Sequence, residues 1–95
     1  MPRIEVDTIG TVRDGAAVHR MQARDISQGG VKIATNRDMA PGSDVVVSLA
    51  GLPPQSGVVR WRDSDCYGIT FNRVLPLPLL VSWLHQQREK LRAAN

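Results

Sequence analysis

The sequence predicts an all-β fold with one C-terminal helix, arranged as an antiparallel barrel or sandwich. Six short segments alternate apolar and polar residues and follow one another at a spacing of roughly 8–12 residues. Turn-favouring residues separate them, and the apolar period becomes helical near the C-terminus. The 95 residues suit a single domain over residues 1–95, with strands over about residues 3–72 and a helix over about residues 78–93.

Each predicted strand is a run of alternating residues bounded by turn formers. In chain order the strands cover residues 4–12, 17–24, 31–35, 44–49, 58–62 and 67–71. In the first strand, Ile4, Val6 and Ile9 are expected to point inward. Asp14-Gly15 is a strong signal for a hairpin between the first two strands. The other connections are rich in Asn, Asp, Pro, Gly and Ser, which favour loops.

The C-terminal segment has the period of an amphipathic helix. One stripe of it combines four apolar residues and a glutamine, at Leu80, Trp83, Leu84, Gln87 and Leu91. Pro76 and Pro78 suit the start of this helix, where a missing N–H costs nothing. Because Trp83 lies on the apolar stripe, it is expected in the core. A single helix in this position is expected to cover an opening or an edge of the sheet.

Composition limits the classes of function. Cys66 is the one cysteine, so no internal disulfide forms and a reducing, cytoplasmic setting is favoured. No run of 18 apolar residues occurs, so no membrane insertion is expected. The net charge is +3, and ten of the cations are arginines against two lysines. Arginine suits forked recognition of phosphate or guanine, although codon usage in a GC-rich genome gives the same excess.

The hexapeptide from Asp25 to Gly30 has the form D-x-S-x-x-G and lies between two predicted strands. Asp and Ser side chains bond nearby backbone amides in tight turns, and glycine adopts backbone conformations that other residues resist. Gly29 and Gly30 are therefore expected to shape the turn, with Gly30 also allowing close approach of a ligand. A turn whose polar groups are fixed in this way can recognise the edge of a nucleobase.

Catalytic and metal-binding patterns are missing from the sequence. His19, His85 and Cys66 lack the spacing of metal ligands, and no Ser, His and Asp set suggests nucleophilic catalysis. Asp63 and Asp65 flank a turn and are expected to shape it rather than to act as an acid–base pair. We therefore expect no enzymatic activity, no metal and no cofactor.

The order of these elements resembles that of the PilZ domain family. The resemblance rests on the D-x-S-x-x-G turn followed by Val31-Lys32-Ile33, on the two strands at residues 58–62 and 67–71, and on the run at residues 72–77. It covers nearly the whole chain. It implies a six-stranded antiparallel β-barrel with a terminal helix, and a receptor for the bacterial second messenger cyclic di-GMP.

The resemblance also implies which residues contact that ligand. Asp25 would accept hydrogen bonds from a guanine N1–H and N2–H₂, and Ser27 would bond a base or a phosphate. PilZ receptors carry a second motif, R-x-x-x-R, just before the first strand, and Arg3 stands where its second arginine is expected. The first arginine would lie before Met1, so the sequence offers half of this clamp. Either the sequence begins too late or the member is degenerate.

A second R-x-x-x-R pattern runs from Arg20 to Arg24, inside the second strand and directly before Asp25. Residues four apart on a strand share a face. In one interpretation the two cations substitute for the missing arginine beside the turn. In the other they are solvated strand residues, and Arg24 forms a surface ion pair with Asp25 that is worth under ~1 kcal/mol.

Trp61 matches a position where some PilZ domains stack an aromatic ring on a guanine. Alternation with Val59 favours a place in the barrel core or at its rim instead, with Arg60 and Arg62 solvated on the opposite face.

Three functions remain open. The first is a cyclic di-GMP sensor that signals through an unidentified partner protein, with ligand binding ordering the N-terminal segment. The second is a protein-interaction module that uses the fold without ligand, which the half clamp favours. Binding of a nucleic-acid polymer is a weaker alternative, because two Trp, one Tyr and one Phe, most of them predicted core, leave no stacking platform.

Overall fold

Six strands and one helix follow the predicted order in the computed structural model, which describes residues 2–94 and, in the last turns of the helix, side chains only as far as Lys90. The elements are β1 (Ile4–Asp14), β2 (Ala17–Ile26), β3 (Gly30–Ala34), β4 (Asp44–Ser48), β5 (Gln55–Asp63), β6 (Cys66–Phe71) and α1 (Leu77–Ala94). The prediction of an all-β protein with a C-terminal helix is confirmed.

The strands close into an antiparallel barrel in the order β1-β2-β3-β6-β5-β4. The closing seam joins β1 to β4, with Thr11 opposite Ser48 and Asp14 opposite Val45. This closure confirms the barrel over the sandwich. Strand β1 is much longer than the part of it that pairs with β4, because it begins seven residues before Thr11.

Alternation places one face of every strand in a common core. The buried residues that line it include Val12, Met21, Ala23, Ile33, Val47, Val59 and Ile69. One prediction for β1 is wrong: Ile9 lies outside and is 50% exposed. The inward positions of β1 are the even-numbered ones that lead to Val12, so Val6 is half-buried while Ile4, at the rim, is 39% exposed.

Helix α1 closes one end of the barrel. Leu80 and Trp83 are buried in the same cluster as the strand residues, as predicted, and Leu84 packs against it. The indole Nε1 of Trp83 donates to the carbonyl of Ala50 at 2.8 Å. The Thr8 hydroxyl donates to Oε1 of Gln87 at 3.0 Å, which ties β1 to the helix. The last predicted stripe residue, Leu91, lies outside the described side chains.

The loop between β3 and β4 closes the opposite end. Met39 inserts there and is 2% exposed. The Tyr67 hydroxyl fixes this loop, since it donates to the carbonyl of Arg37 at 2.6 Å and accepts from the amide of Met39 at 3.3 Å. Both ends of the barrel are thus filled by side chains, which leaves the outer surface for recognition. Within residues 2–94, no helix is both long enough and apolar enough to cross a membrane.

Candidate ligand-binding site

The D-x-S-x-x-G segment forms a tight turn between β2 and β3. The amide of Ser27 donates to the carbonyl of Gly30 at 2.9 Å, and the amide of Gly29 donates to the Ser27 hydroxyl oxygen at 3.2 Å. The same hydroxyl points back to the Gly30 carbonyl at 3.5 Å. Ser27 is 6% exposed. The Ser27 side chain therefore holds the shape of the turn.

The turn is hydrogen-bonded to the end of β6 and to the segment that follows it. The amide of Phe71 donates to the carbonyl of Gly29 at 2.9 Å, and the amide of Leu75 donates to the carbonyl of Gln28 at 2.8 Å. In the other direction, Nε2 of the Gln28 side chain donates to the Leu75 carbonyl at 3.0 Å. Sequence reasoning missed Gln28, because its partner lies 47 residues away and only the register of β3 on β6 brings them together.

Gly30 is required by a close approach of two backbones. A Cβ at this position would lie 2.3 Å from the carbonyl oxygen of Ile69 on β6. No side chain fits in that space, so the first residue of β3 must be glycine if β3 is to sit this close to β6.

A β-bulge directs Asp25 out of the barrel. Ala23 faces Ile33 on β3 and Asp25 faces Lys32, so Arg24 is an extra residue on β2. Ala23 and Ile26 are both buried, and the two residues between them face outward. Without the bulge, strict alternation from Ala23 would send Asp25 into the core.

Arg3 and Asp25 form an ion pair across 3.0 Å, from Nη1 to Oδ1. Their side chains are 49% and 19% exposed. Arg3 stands immediately before β1, and the β1–β2 register places Glu5 opposite Asp25. The structure thus brings together two predicted site residues that are 22 positions apart in the chain.

Four residues form a row across the outer face of the barrel. Asp25 on β2 is opposite Lys32 on β3, Lys32 is opposite Gly68 on β6, and Gly68 is opposite Trp61 on β5. Residues directly opposite one another in a sheet share a face. We call this set the outer row. With strands about 4.8 Å apart it spans roughly 14 Å.

Trp61 ends the outer row and lies against Gly68. It is 38% exposed, so of the alternatives for this residue a place in the core is wrong. The reason is a second bulge: Val59 faces Ile69 and Trp61 faces Gly68, which makes Arg60 an extra residue and turns Trp61 outward with it.

Arg62 is exposed, as predicted, and has two contacts on the surface. It lies over the Tyr67 ring at 5.5 Å from the centroid and forms an ion pair with Asp38.

The comparison with family models gives the decisive match, to the PilZ domain over residues 1–85. The chain belongs to the PilZ domain family. This family is known as the cyclic di-GMP receptor domain, a binding rather than a catalytic family whose members typically act through partner proteins. A search of curated proteins found none that matches this chain.

The turn and the outer row of this PilZ domain include a cation that the motif does not name. Lys32 is half-buried between the inward Val31 and Ile33, and none of the ion pairs among the described side chains involves it. Alternation alone indicates that Lys32 points outward. Its position one strand from Asp25 depends on the bulge at Arg24, which the sequence does not reveal.

The two arginines of the second R-x-x-x-R pattern lie in different surroundings. Arg24 is exposed beside Asp25. Arg20 is opposite Thr11 on β1, and its carbonyl accepts from the Thr35 hydroxyl at 2.9 Å. At about 3.3 Å per residue, Arg20 stands roughly 16 Å from Asp25 along β2. The PilZ barrel therefore brings Arg24 to the turn and leaves Arg20 near the opposite end.

In the part of the chain that the structure describes, no three His, Cys, Asp or Glu side chains lie where they could hold a metal ion. The turn has cations beside it and two carboxylates, those of Asp25 and of Glu5 opposite it on β1. The indole of Trp61 lies at the other end of the outer row. The cations, the Asp25 carboxylate and the indole suit a ligand with phosphates and bases.

Proposed function

We propose that this PilZ domain is a sensor of cyclic di-GMP that binds the ligand on the outer row and signals through a partner protein. The observation that supports it best is the register that places Asp25, Lys32 and Trp61 on one face of the barrel. Arg3 adds a guanidinium at the Asp25 end. A carboxylate, two cations and an aromatic ring are the groups that a guanine-containing cyclic dinucleotide requires.

Each group has a role in the proposed complex. The Asp25 carboxylate accepts hydrogen bonds from the N1–H and N2–H₂ of a guanine. The Arg3 guanidinium binds phosphate oxygens with two parallel N–H bonds, and the Lys32 ammonium adds a point charge. Trp61 stacks on a base, an interaction worth ~1–3 kcal/mol per base in nucleic-acid complexes. Arg24 lies close enough to the turn to add a further phosphate contact.

Ser27 and Gly30 act indirectly in this proposal. Their contacts hold the turn in shape and leave the Asp25 carboxylate in one place. A fixed acceptor costs less entropy on binding than a mobile one. Arg20 takes no part, because of its distance from the turn.

Binding requires the ion pair between Arg3 and Asp25 to separate. The ligand offers each partner a better contact: phosphate for the guanidinium and guanine N–H groups for the carboxylate. An exposed pair of this kind is worth under ~1 kcal/mol, so its loss is a small cost. Arg3 then moves from the barrel to the ligand, and the N-terminal residues follow it. This rearrangement is the signal that a partner protein would read.

A ligand-independent interaction module is the second candidate. It is favoured by two contacts within the chain: Ser27 is buried in its own turn, and Arg3 and Asp25 neutralise one another. In this alternative the motif serves the fold alone.

Isothermal titration of cyclic di-GMP separates the two candidates. The variant is Asp25→Ala, and its matched control is Asp44→Ala, an exposed carboxylate on β4, which carries no member of the outer row. Cyclic di-AMP serves as the ligand control, because adenine lacks the N1–H and N2–H₂ donors. Binding of cyclic di-GMP alone, lost in Asp25→Ala and kept in Asp44→Ala, supports the sensor. If the unchanged chain gives no heat with cyclic di-GMP, the interaction module takes its place.

A further inference from the structure

Strand β1 has a long free edge. It pairs with β2 from Ile4 to Asp14, with an irregularity in the register between Glu5 and Thr8, but with β4 only from Thr11 to Asp14. From Ile4 to Gly10, no strand among the described residues pairs with its other side. Alternate residues of such an edge present backbone N–H and C=O groups to whatever lies beside it. Proteins usually cover or block an edge of this kind, so an open one calls for an occupant.

A groove of about 510 Å³ runs between this edge and helix α1. Its floor is partly apolar, with Val6 from β1 and Leu84 from the helix, both half-buried against the core. Gln87 also lines the groove, and its buried Nε2 has no hydrogen-bond partner in the described part of the chain. A buried donor without a partner is costly. A carbonyl group entering the groove would relieve that cost.

The side chains beside the edge favour one kind of occupant. Glu5 and Asp7 are exposed on the outer face of β1, on either side of the half-buried Val6. Two-fold pairing of β1 with a second copy, centred on Val6 or on Asp7, would set Glu5 against Asp7 or Asp7 against Asp7. Like charges directly opposite one another destabilise a sheet, so a second copy is disfavoured in these two registers. The two carboxylates favour a strand with cations opposite Glu5 and Asp7, while Arg88 and Lys90 line the helix side of the same groove.

We propose that the Ile4–Gly10 edge binds an extended segment of a partner protein by strand addition. The segment alternates apolar residues, which pack on Val6 and Leu84, with lysine or arginine opposite Glu5 and Asp7. Main-chain hydrogen bonds supply affinity and the alternating side chains supply specificity. This surface requires no cyclic di-GMP, so its test is made without ligand and stands apart from the test of the sensor.

The experiment uses the whole chain labelled with ¹⁵N and a capped peptide of alternating valine and lysine. Amide hydrogen exchange is followed residue by residue. We expect at least roughly tenfold slower exchange at those amides of residues 4–10 that point away from β2, with little change at β2 itself. A peptide with glutamate in place of lysine, and a lysine peptide with methylated backbone nitrogens, should give no protection.

The charge-reversed variant Glu5→Lys/Asp7→Lys tests whether these two carboxylates select the charge of the bound strand. Both positions are exposed, and the variant should prefer the glutamate peptide to the lysine peptide. Equal protection by both peptides, protection confined to another surface, or protection that rises with protein concentration in the absence of peptide would each overturn the proposal.

Discussion

The indole of Trp61 occupies the space that a side chain at Gly68 would need. A Cβ built on Gly68 would lie 2.1 Å from Nε1 of Trp61 and 2.2 Å from its Cε2. Gly68 is buried although it faces outward, because the indole covers it. The glycine thus lets a large aromatic ring lie against the sheet at the end of the outer row, where it is 38% exposed.

Replacing Gly68 by alanine should displace Trp61 and weaken cyclic di-GMP binding. The expected loss is within ~1–3 kcal/mol, the worth of one stacked base. Titration calorimetry measures the affinity. Thr70→Ala, an exposed position on the same face of β6, is the matched control and should bind normally.

The double variant Gly68→Ala/Trp61→Ala tests whether the glycine acts through the tryptophan. If it does, Gly68→Ala costs no further affinity once Trp61 is absent, since the two changes remove one interaction. Additive losses would mean that Gly68 contributes separately, by the approach of the ligand to the β6 backbone.

Arg3→Ala should weaken ligand binding strongly and leave stability almost unchanged. An exposed ion pair contributes under ~1 kcal/mol to folding, whereas a forked contact with phosphate is made only in the complex. Titration at low and high salt checks this, because loss of a phosphate contact also flattens the salt dependence of binding. Arg13→Ala, an exposed arginine on the same strand, is the control. Equal effects of the two substitutions would contradict a specific role for Arg3.

Gly30→Ala should destabilise the barrel. Its Cβ would overlap the Ile69 carbonyl at 2.3 Å, and two paired backbones cannot move apart without losing ladder hydrogen bonds. A cost of ~1–3 kcal/mol is expected, as for overpacked sites. Urea unfolding followed by tryptophan fluorescence measures it. An unchanged midpoint would show that β3 and β6 can separate more easily than their close pairing suggests.

Trp83→Ala should cost about 3–5 kcal/mol, since it removes a fully buried aromatic ring and its bond to Ala50. Val81→Ala, at an exposed position on the same helix, should change stability by less than ~0.5 kcal/mol. Because Trp83 is removed in the variant, circular dichroism follows unfolding. A small loss would mean that α1 is not needed to close the barrel end.

The fold could be predicted from the sequence because periodic burial specifies it. Strand alternation, the Asp14-Gly15 hairpin and the helical stripe through Trp83 are local signals, and each is confirmed. The inward face of β1 is harder to predict. Ile4, Val6 and Ile9 are all apolar candidates for it, but the parity set by Val12 places Ile9 outside.

The site could be predicted only in part, because two bulges reset the alternation. An extra residue at Arg24 turns Asp25 outward, and another at Arg60 does the same for Trp61. Both lie in the pairing of a strand with the next strand along the chain, and no residue type in the sequence marks which position is the extra one. The place of Lys32 in the outer row follows from the first bulge, which is why the sequence did not reveal it.

The two arginines of β2 make the final test of the site's position. Arg24→Ala should weaken cyclic di-GMP binding, because this exposed side chain adjoins Asp25. Arg20→Ala should leave affinity unchanged, because Arg20 stands roughly 16 Å along the strand. The two variants remove the same charge from the same face, so net charge cannot explain a difference between them. Titration calorimetry at one salt concentration measures both. Loss of binding in Arg20→Ala alone would move the site away from the turn, toward the end of the barrel where Arg20 adjoins Thr35.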